Sequence, residues 1–199
     1  MGALDRARLQ AVRAELGADG PRHDAGQPER AQRLLNITPE TGELLAVLVR
    51  ASGARRVLEI GTSNGYSTLW LAEAAAALGG TVITLEHAAH KVALAQHSFV
   101  RAGVEGCVDL VHADAGAWLA DAASAAFDLL FLDAERSLYC HWWPQLRRVL
   151  RPGGLLVVDN ALSHAAEMAA FAALLQADAA FTCITLPVGN GELLAVKDA

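Results

Sequence analysis

Hydrophobic positions in this chain change period at Arg56. Before it, apolar residues recur at helical spacing. After it, short apolar runs alternate with helical stretches. Leu4, Leu9, Val12 and Leu16 fall near a 3.6-residue repeat and predict a helix over residues 1–20. Residues 17–29, rich in Gly, Pro, Asp and His, predict a loop or lid. Thr38-Pro39-Glu40 reads as a cap with proline at the first helical position, and Leu44, Leu45, Leu48 and Val49 continue it as a helix. Beyond Arg56, strands are predicted near 56–60, 81–86, 107–112, 127–132, 154–159, 180–187 and 192–197. Helices over 65–78, 88–102, 115–123, 137–150 and 164–177 fit between the first six strands. The runs at 127–132 and 155–158 are apolar at nearly every position, as in strands buried on both faces of a parallel sheet. Gly189-Asn190-Gly191 is a hairpin signal between the last two strands. The predicted fold is therefore α/β. It is a doubly wound, mostly parallel seven-stranded sheet with helices on both faces and a C-terminal antiparallel hairpin. Residues 1–35 read as an N-terminal helical or lid segment and 36–199 as the main domain. The Ala-rich stretch at 73–77 reads as a tightly packed helix, and no internal repeat is present.

Composition narrows the function classes. A chain of 199 residues, 53% of them hydrophobic, can bury a large single core. No apolar run reaches the roughly 18 residues of a membrane span. Asp5, Arg6, Arg8 and Arg13 stand at the start without an apolar stretch of signal-peptide type. A net charge of −6 argues against a nucleic-acid partner held by a basic surface. Cys107, Cys140 and Cys183 are odd in number, far apart and lack zinc spacing, so they read as core residues in a reduced cytoplasm.

The chemistry concentrates in Val57-Leu58-Glu59-Ile60-Gly61-Thr62-Ser63-Asn64-Gly65-Tyr66-Ser67, a buried strand, a small-residue turn and a helix start. Glu86 follows at the end of the next apolar run. In a doubly wound sheet this pattern grips a nucleoside, because glycines let the backbone approach and the acid accepts hydrogen bonds from ribose hydroxyls. The spacing Gly61-x-x-x-Gly65 lacks the G-x-G-x-x-G of pyrophosphate sites, which speaks against a dinucleotide. The same residues match the G-x-S-x-G elbow of hydrolases, with Ser63, Asp133 or Asp159, and His164 in order. That reading leaves Glu86 unexplained and few residues for the strands that precede an elbow. Asp133 and the pair Asp159-Asn160 each follow a predicted parallel strand, so they converge near the glycine turn. Two carboxylates and an amide oxygen suit Mg²⁺ or Ca²⁺. As alternatives, Asp133 caps the next helix and Asp159 serves a turn.

These residues resemble the class I S-adenosylmethionine-dependent methyltransferases. Within them they resemble the cation-dependent O-methyltransferases typified by catechol and caffeoyl-CoA O-methyltransferases. The resemblance covers residues 33–199. It rests on the glycine turn, the strand ending in Glu86, Phe131-Leu132-Asp133-Ala134-Glu135-Arg136 with Tyr139, and Arg151-Pro152-Gly153-Gly154 leading to Val158-Asp159-Asn160. It implies S-adenosylmethionine and a divalent cation, Mg²⁺ foremost, as cofactors, a small catechol-like acceptor, and a homodimer. A metal-independent methyltransferase and a catalytically silent cofactor-binding protein are the other readings.

Carried over by position, the resemblance assigns the cation to Asp133, Asp159 and Asn160, and catalysis to Asp133, Arg136 and Asp159. It places Glu86 on the ribose and Gly61 and Gly65 beside the methionine part. Glu59 orients the turn backbone or the cofactor amino group. Ser63, Ser67, His87 and Asp133 join this cofactor set, and Asp114-Ala115 stand where adenine is held, with Asp114 equally a helix cap. The chain departs from the family in two places. Arg136 replaces a lysine that is a candidate base, and arginine does not readily release its proton. The substrate loop that usually follows Asp-Asn is absent, so the acceptor wall is expected from residues 17–38, His141, Trp142 and Trp143. Adjacent tryptophans point to different sides of a helix, so one of the two at most meets substrate. His164 is either an extra ligand or base, or a helix-start residue without such a role.

Overall fold

The computed structural model describes residues 4–199. Residues 1–3, where the first predicted helix begins, lie outside the described residues. The strands are β1 (Arg56–Ile60), β2 (Thr81–Glu86), β3 (Val108–His112), β4 (Phe127–Leu132), β5 (Leu150–Val158), β6 (Phe181–Leu186) and β7 (Glu192–Lys197). They form one sheet in the order 3-2-1-4-5-7-6. The first five pair in parallel, and β7 runs antiparallel to both β5 and β6. The helices are α1 (Arg6–Ala25), α2 (Pro39–Ser52), α3 (Tyr66–Ala76), α4 (Ala89–Ala102), α5 (Ala115–Asp121), α6 (Tyr139–Val149) and α7 (Ala165–Ala177). This is the doubly wound sheet with a terminal hairpin that the hydrophobic pattern predicts.

The strand period of two divides the core. Leu129 and Phe131 join the cluster beneath α1 to α4, while Leu130 and Leu132 join the cluster beneath α5 to α7. Both faces of β4 are thus buried, which is why its sequence is apolar almost throughout.

The structure corrects two expectations. The stretch from residue 17 to Ala25 is not loop but the second half of α1, with Pro21 inside it. Its glycines are contact points rather than breaks. A Cβ at Gly17 would lie 3.0 Å from the Tyr66 hydroxyl, and one at Gly20 would lie 2.5 Å from the Asn36 amide nitrogen. The helix is held at a distance in sequence as well. The Arg13 guanidinium stacks 3.6 Å over the Trp70 ring, and buried Glu73 accepts from Arg6 (2.9 Å) and Arg13 (2.6 Å). Secondly, β5 begins at Leu150 rather than 154, because Leu150 pairs with Phe127 before a register irregularity. No helix among the described residues is long and apolar enough to cross a membrane.

Strand register positions the site. Ile60 pairs with Leu85 on one side and Leu132 on the other, and Leu132 pairs with Val158. The residues just past these strand ends are therefore neighbours. Gly61 N–H donates to the Leu85 carbonyl, Asp133 N–H to Ile60 and Asp159 N–H to Leu132, all at 3.0–3.1 Å.

Candidate active site

A cavity of about 850 Å³ opens along this carboxyl edge. That is toward the upper end of the roughly 300–1,000 Å³ range of small-molecule sites, enough for two ligands side by side. The glycine turn forms one wall. Gly61 has φ +105°, and a Cβ there would lie 2.0 Å from the Asp133 carbonyl oxygen. Gly65 has φ +87°, with a would-be Cβ 2.5 Å from the Phe99 ring. Ser63 between them is also left-handed, at φ 49°. Of the four non-glycine residues with positive φ among the described residues, Leu35, Ser63 and Asn160 line the cavity. Strain of this kind gathers where surrounding structure holds a site in shape.

Buried Glu86 braces the turn from the next strand. Its Oε2 accepts from Ser63 N–H and its Oε1 from Ala88 N–H, both at 2.9 Å, and the residue lines the cavity. His87 stands exposed at the rim, its Nδ1 3.4 Å from Glu86 Oε1. Asp114 caps α5, accepting from Ala117 N–H at 2.8 Å, and also lines the cavity. Ala115 lines the same end.

Glu59 lies behind this wall rather than in it. It is fully buried and accepts from the hydroxyls of Ser67 (2.5 Å), Thr68 (2.5 Å) and Thr84 (2.6 Å). Burial pushes its carboxyl up to about 7 despite these three donors. Ser67 reaches the cavity, but its hydroxyl is committed to Glu59. The Ser63 hydroxyl donates to the Leu34 carbonyl at 2.6 Å, and the His164 ring pairs with Ser163 at 3.0 Å. These commitments are not those of a Ser-acid-His nucleophile.

The acid pair sits beyond the turn. Asn160 Nδ2 lies 3.3 Å from Asp133 Oδ1 and 2.9 Å from Asp159 Oδ2. Asn160 has φ 68°, a conformation asparagine tolerates better than most residues. Burial first, then Asp159 and Glu59, push the Asp133 carboxyl well above the usual carboxylate range. Burial also raises Asp159. Two like charges out of water are what a cation would neutralise, and the oxygen donors suit a hard divalent ion once the Asn160 amide turns its oxygen inward. Among the described residues, no three His, Cys, Asp or Glu side chains are grouped to hold a metal. The candidate set is two acids and an amide.

Arg136 lines the cavity with its side chain 7% exposed, and its Nε donates to Glu167 Oε2 at 2.8 Å. Its charge lowers both Asp133 and Asp159. Of residues 17–38, expected to supply a wall of the site, those from Arg30 to Ile37 reach the cavity. Arg30, Ala31, Leu34, Leu35, Asn36 and Ile37 form a strap along the cavity. The strap is pinned by Asp24, which accepts from Leu34 N–H (2.7 Å) and Leu35 N–H (2.9 Å), and by Ser63. The α6 part is corrected. His141 is exposed and away from the cavity, and Trp143 packs on Phe171 and Phe181 at ring-centroid distances of 5.9 and 4.9 Å. Trp142 lines the cavity at the Asp114 end, its Nε1 3.0 Å from where a Gly116 Cβ would be.

Sequence reasoning missed Glu192 and Glu167. Glu192 is completely buried, accepts from the Thr41 hydroxyl at 2.8 Å, and is pushed up by burial and by the Asp159 charge. The available signal was a lone acid opening an otherwise apolar strand directly after a glycine turn. Glu167 carried only the signal of an acid in the first turn of a helix near Asp159.

A doubly wound sheet with a glycine turn, a strand-end acid on β2 and acids beyond β4 and β5 defines an S-adenosylmethionine-dependent methyltransferase. The chain belongs to the O-methyltransferase family, whose profile matches residues 25–197. It is 33% identical over 152 residues to a catechol O-methyltransferase of Niastella koreensis, covering 75% of this chain and 66% of that protein. It is 39% identical over 129 residues to a catechol O-methyltransferase of Mycobacterium tuberculosis, covering 63% and 57%. This chain thus spans about two thirds or less of the length of those two relatives. Among solved structures, an O-methyltransferase from Bacillus cereus in complex with S-adenosylhomocysteine superposes with a TM-score of 0.78 at 26% identity, covering 98% of this chain and 92% of that one.

Proposed function

We propose that this protein transfers a methyl group from S-adenosylmethionine to a hydroxyl of a small catechol-like acceptor, with a divalent cation held by Asp133, Asp159 and Asn160. One observation carries the reading. Two carboxylates raised by burial lie within hydrogen-bond reach of one amide, in the cavity that Glu86 and the Gly61 turn also line. When bound, the cation supplies Lewis-acid chemistry that lowers the pKa of a ligated hydroxyl, and the sulfonium supplies the methyl group.

The other tasks fall to the chain. Glu86 accepts hydrogen bonds from the ribose hydroxyls, and the strained turn brings backbone N–H groups to the methionine part. Glu59 keeps that turn in register with α3 and β2 through its three hydroxyl partners. Arg136 opposes the upward push of burial on Asp133 and Asp159; an arginine does not act as a base, so its contribution is charge. Residues 30–37 cover the cavity and keep water from the reacting atoms. A homodimer and a cytoplasmic setting belong to the same reading, and light scattering on the purified chain tests the first.

A metal-independent reading has one observation in its favour. Asn160 Nδ2 already lies beside both aspartates, giving them a partner without an ion. Mn²⁺ binding in the presence of S-adenosylhomocysteine, followed by spin resonance, separates the two. One ion bound by the wild type and lost in Asp159→Ala supports chelation. No binding, or binding equal in both, together with activity that survives EDTA, supports the metal-independent enzyme.

A further inference from the structure

Arg136 is a buried arginine with one side-chain hydrogen bond among the described residues, from its Nε to Glu167 Oε2 at 2.8 Å. The two ends of this pair differ. The Arg136 side chain is 7% exposed and the Glu167 side chain 55%. A half-exposed ion pair contributes little to stability, while burying a guanidinium costs free energy. Stability therefore does not account for an arginine at this position. Arg136 lines the cavity, and Glu167 does not. Glu135, the acid next to Arg136, is exposed on the same cavity and accepts from the Ser137 hydroxyl at 3.0 Å, which leaves Arg136 to Glu167.

The bond joins the two segments that carry the acid pair. Arg136 opens the short turn Arg136–Leu138, just beyond Asp133. Glu167 stands in the first turn of α7, just beyond Asp159 and Asn160. The two segments are tied at their bases, where Asp159 N–H donates to the Leu132 carbonyl at 3.1 Å. The pair Arg136–Glu167 is a second tie, further along both. An acceptor hydroxyl that attacks a sulfonium methyl first gives up its proton, and a cation fixed beside it favours the oxyanion. The benefit depends on where that cation is held, because a mobile side chain spreads its charge over several rotamers. We propose that Glu167 is a positioning residue for the methyl transfer, acting through Arg136 by fixing its guanidinium on the Asp133 side of the cavity, against the acceptor hydroxyl. This rests on the acceptor reading above and adds to it a residue outside the cavity.

The test measures kcat and the KM for S-adenosylmethionine, with catechol as acceptor, in the wild type, Glu167→Gln and Glu167→Asp. Position and charge predict opposite signs. Glu167→Gln removes a negative charge beside Arg136, so a Glu167 that merely screened Arg136 would give a variant with higher kcat. A Glu167 that positions Arg136 gives one with lower kcat, by about tenfold, on the scale of a modest misplacement of a reacting contact. The KM for S-adenosylmethionine should stay near the wild-type value, because the glycine turn and Glu86 are untouched. Glu167→Asp keeps the charge on a shorter stem and should recover part of kcat. Arg136→Met removes the group being positioned, and in that background Glu167→Gln should change kcat no further. An unchanged or raised kcat in Glu167→Gln overturns the inference. So does an equal fall in the Arg136→Met background, or a fall matched by a higher KM and a lower melting temperature, which is the mark of a merely structural pair. A wild type that methylates no catechol refutes instead the acceptor reading beneath it, and this inference falls with it.

Discussion

Replacing Glu192 by glutamine should flatten the pH dependence of stability. Glu192 opens β7 with no exposed surface, its Oε1 bound to the Thr41 hydroxyl and its Oε2 meeting no donor. Beside Asp159, only a proton carried by Glu192 makes their contact favourable. Burial first, then the Asp159 charge, push the Glu192 carboxyl from its ordinary 4.5 to about 9. A carboxyl raised on folding holds its proton longer in the native state than in the unfolded chain. Its favourable contribution is complete below pH 4.5 and drains away as pH climbs toward about 9. At about 1.4 kcal/mol per unit, the drop between about pH 6 and about pH 9 is on the order of 3 kcal/mol. Glu192→Gln keeps a donor toward Asp159 and has no proton to lose. Urea unfolding in the presence of a chelator at those two pH values measures the difference. The wild type should lose about 3 kcal/mol more than the variant on going to alkaline pH. Parallel losses in the two proteins would refute the argument, because they would mean that Glu192 is already ionised at the lower pH.

Three further substitutions probe the framework around the site. Gly65→Ala forces a side chain into φ +87° and against the Phe99 ring. It should cost about 2 kcal/mol or more and weaken S-adenosylhomocysteine binding, and calorimetry showing normal affinity and stability would contradict the packing described. Glu73→Ala strips the partner from Arg13, whose side chain is only 12% exposed. A loss of about 2 kcal/mol is expected, with faster hydrogen exchange confined to α1, and unaltered exchange there would show that this cluster does not hold the helix. Ser63→Ala removes the bond to the Leu34 carbonyl, so the strap should open more often. Stopped-flow displacement of S-adenosylhomocysteine should then be faster by several-fold, on the scale of one neutral hydrogen bond of about 1 kcal/mol, and an unchanged rate would uncouple the strap from the cofactor turn.

What sequence alone made legible, and what it did not, follows from the range of the forces involved. Strands β1, β2, β4 and β7 have the predicted bounds because each is a short, almost uninterrupted apolar run between polar breaks. Once a parallel sheet is inferred, residues after strand ends become neighbours, so Gly61, Glu86, Asp133 and Asp159 could be grouped before any contact was seen. The second half of α1 was not legible, because Gly17 and Gly20 signal a break locally and a close contact only when Tyr66 and Asn36 are in place. Glu192 was hidden for a topological reason. Its hairpin partner β6 is obvious from the glycine turn, but β7 inserts between β6 and β5, and only that insertion brings Glu192 to Asp159 and Thr41. Arg136 was singled out, but its pairing with Glu167 was not, since the partner comes from another helix. The same distinction separates the two halves of the site. The cofactor half is built from strand ends whose order the apolar pattern dictates. The side of the cavity away from the glycine turn is built from the strap and Arg136, whose mutual placement depends on long-range contacts such as Ser63 to Leu34. The glycine turn and the strand-end acids are therefore written in local pattern, while the covering of the cavity resides in the tertiary contacts of residues 30–37 and Arg136.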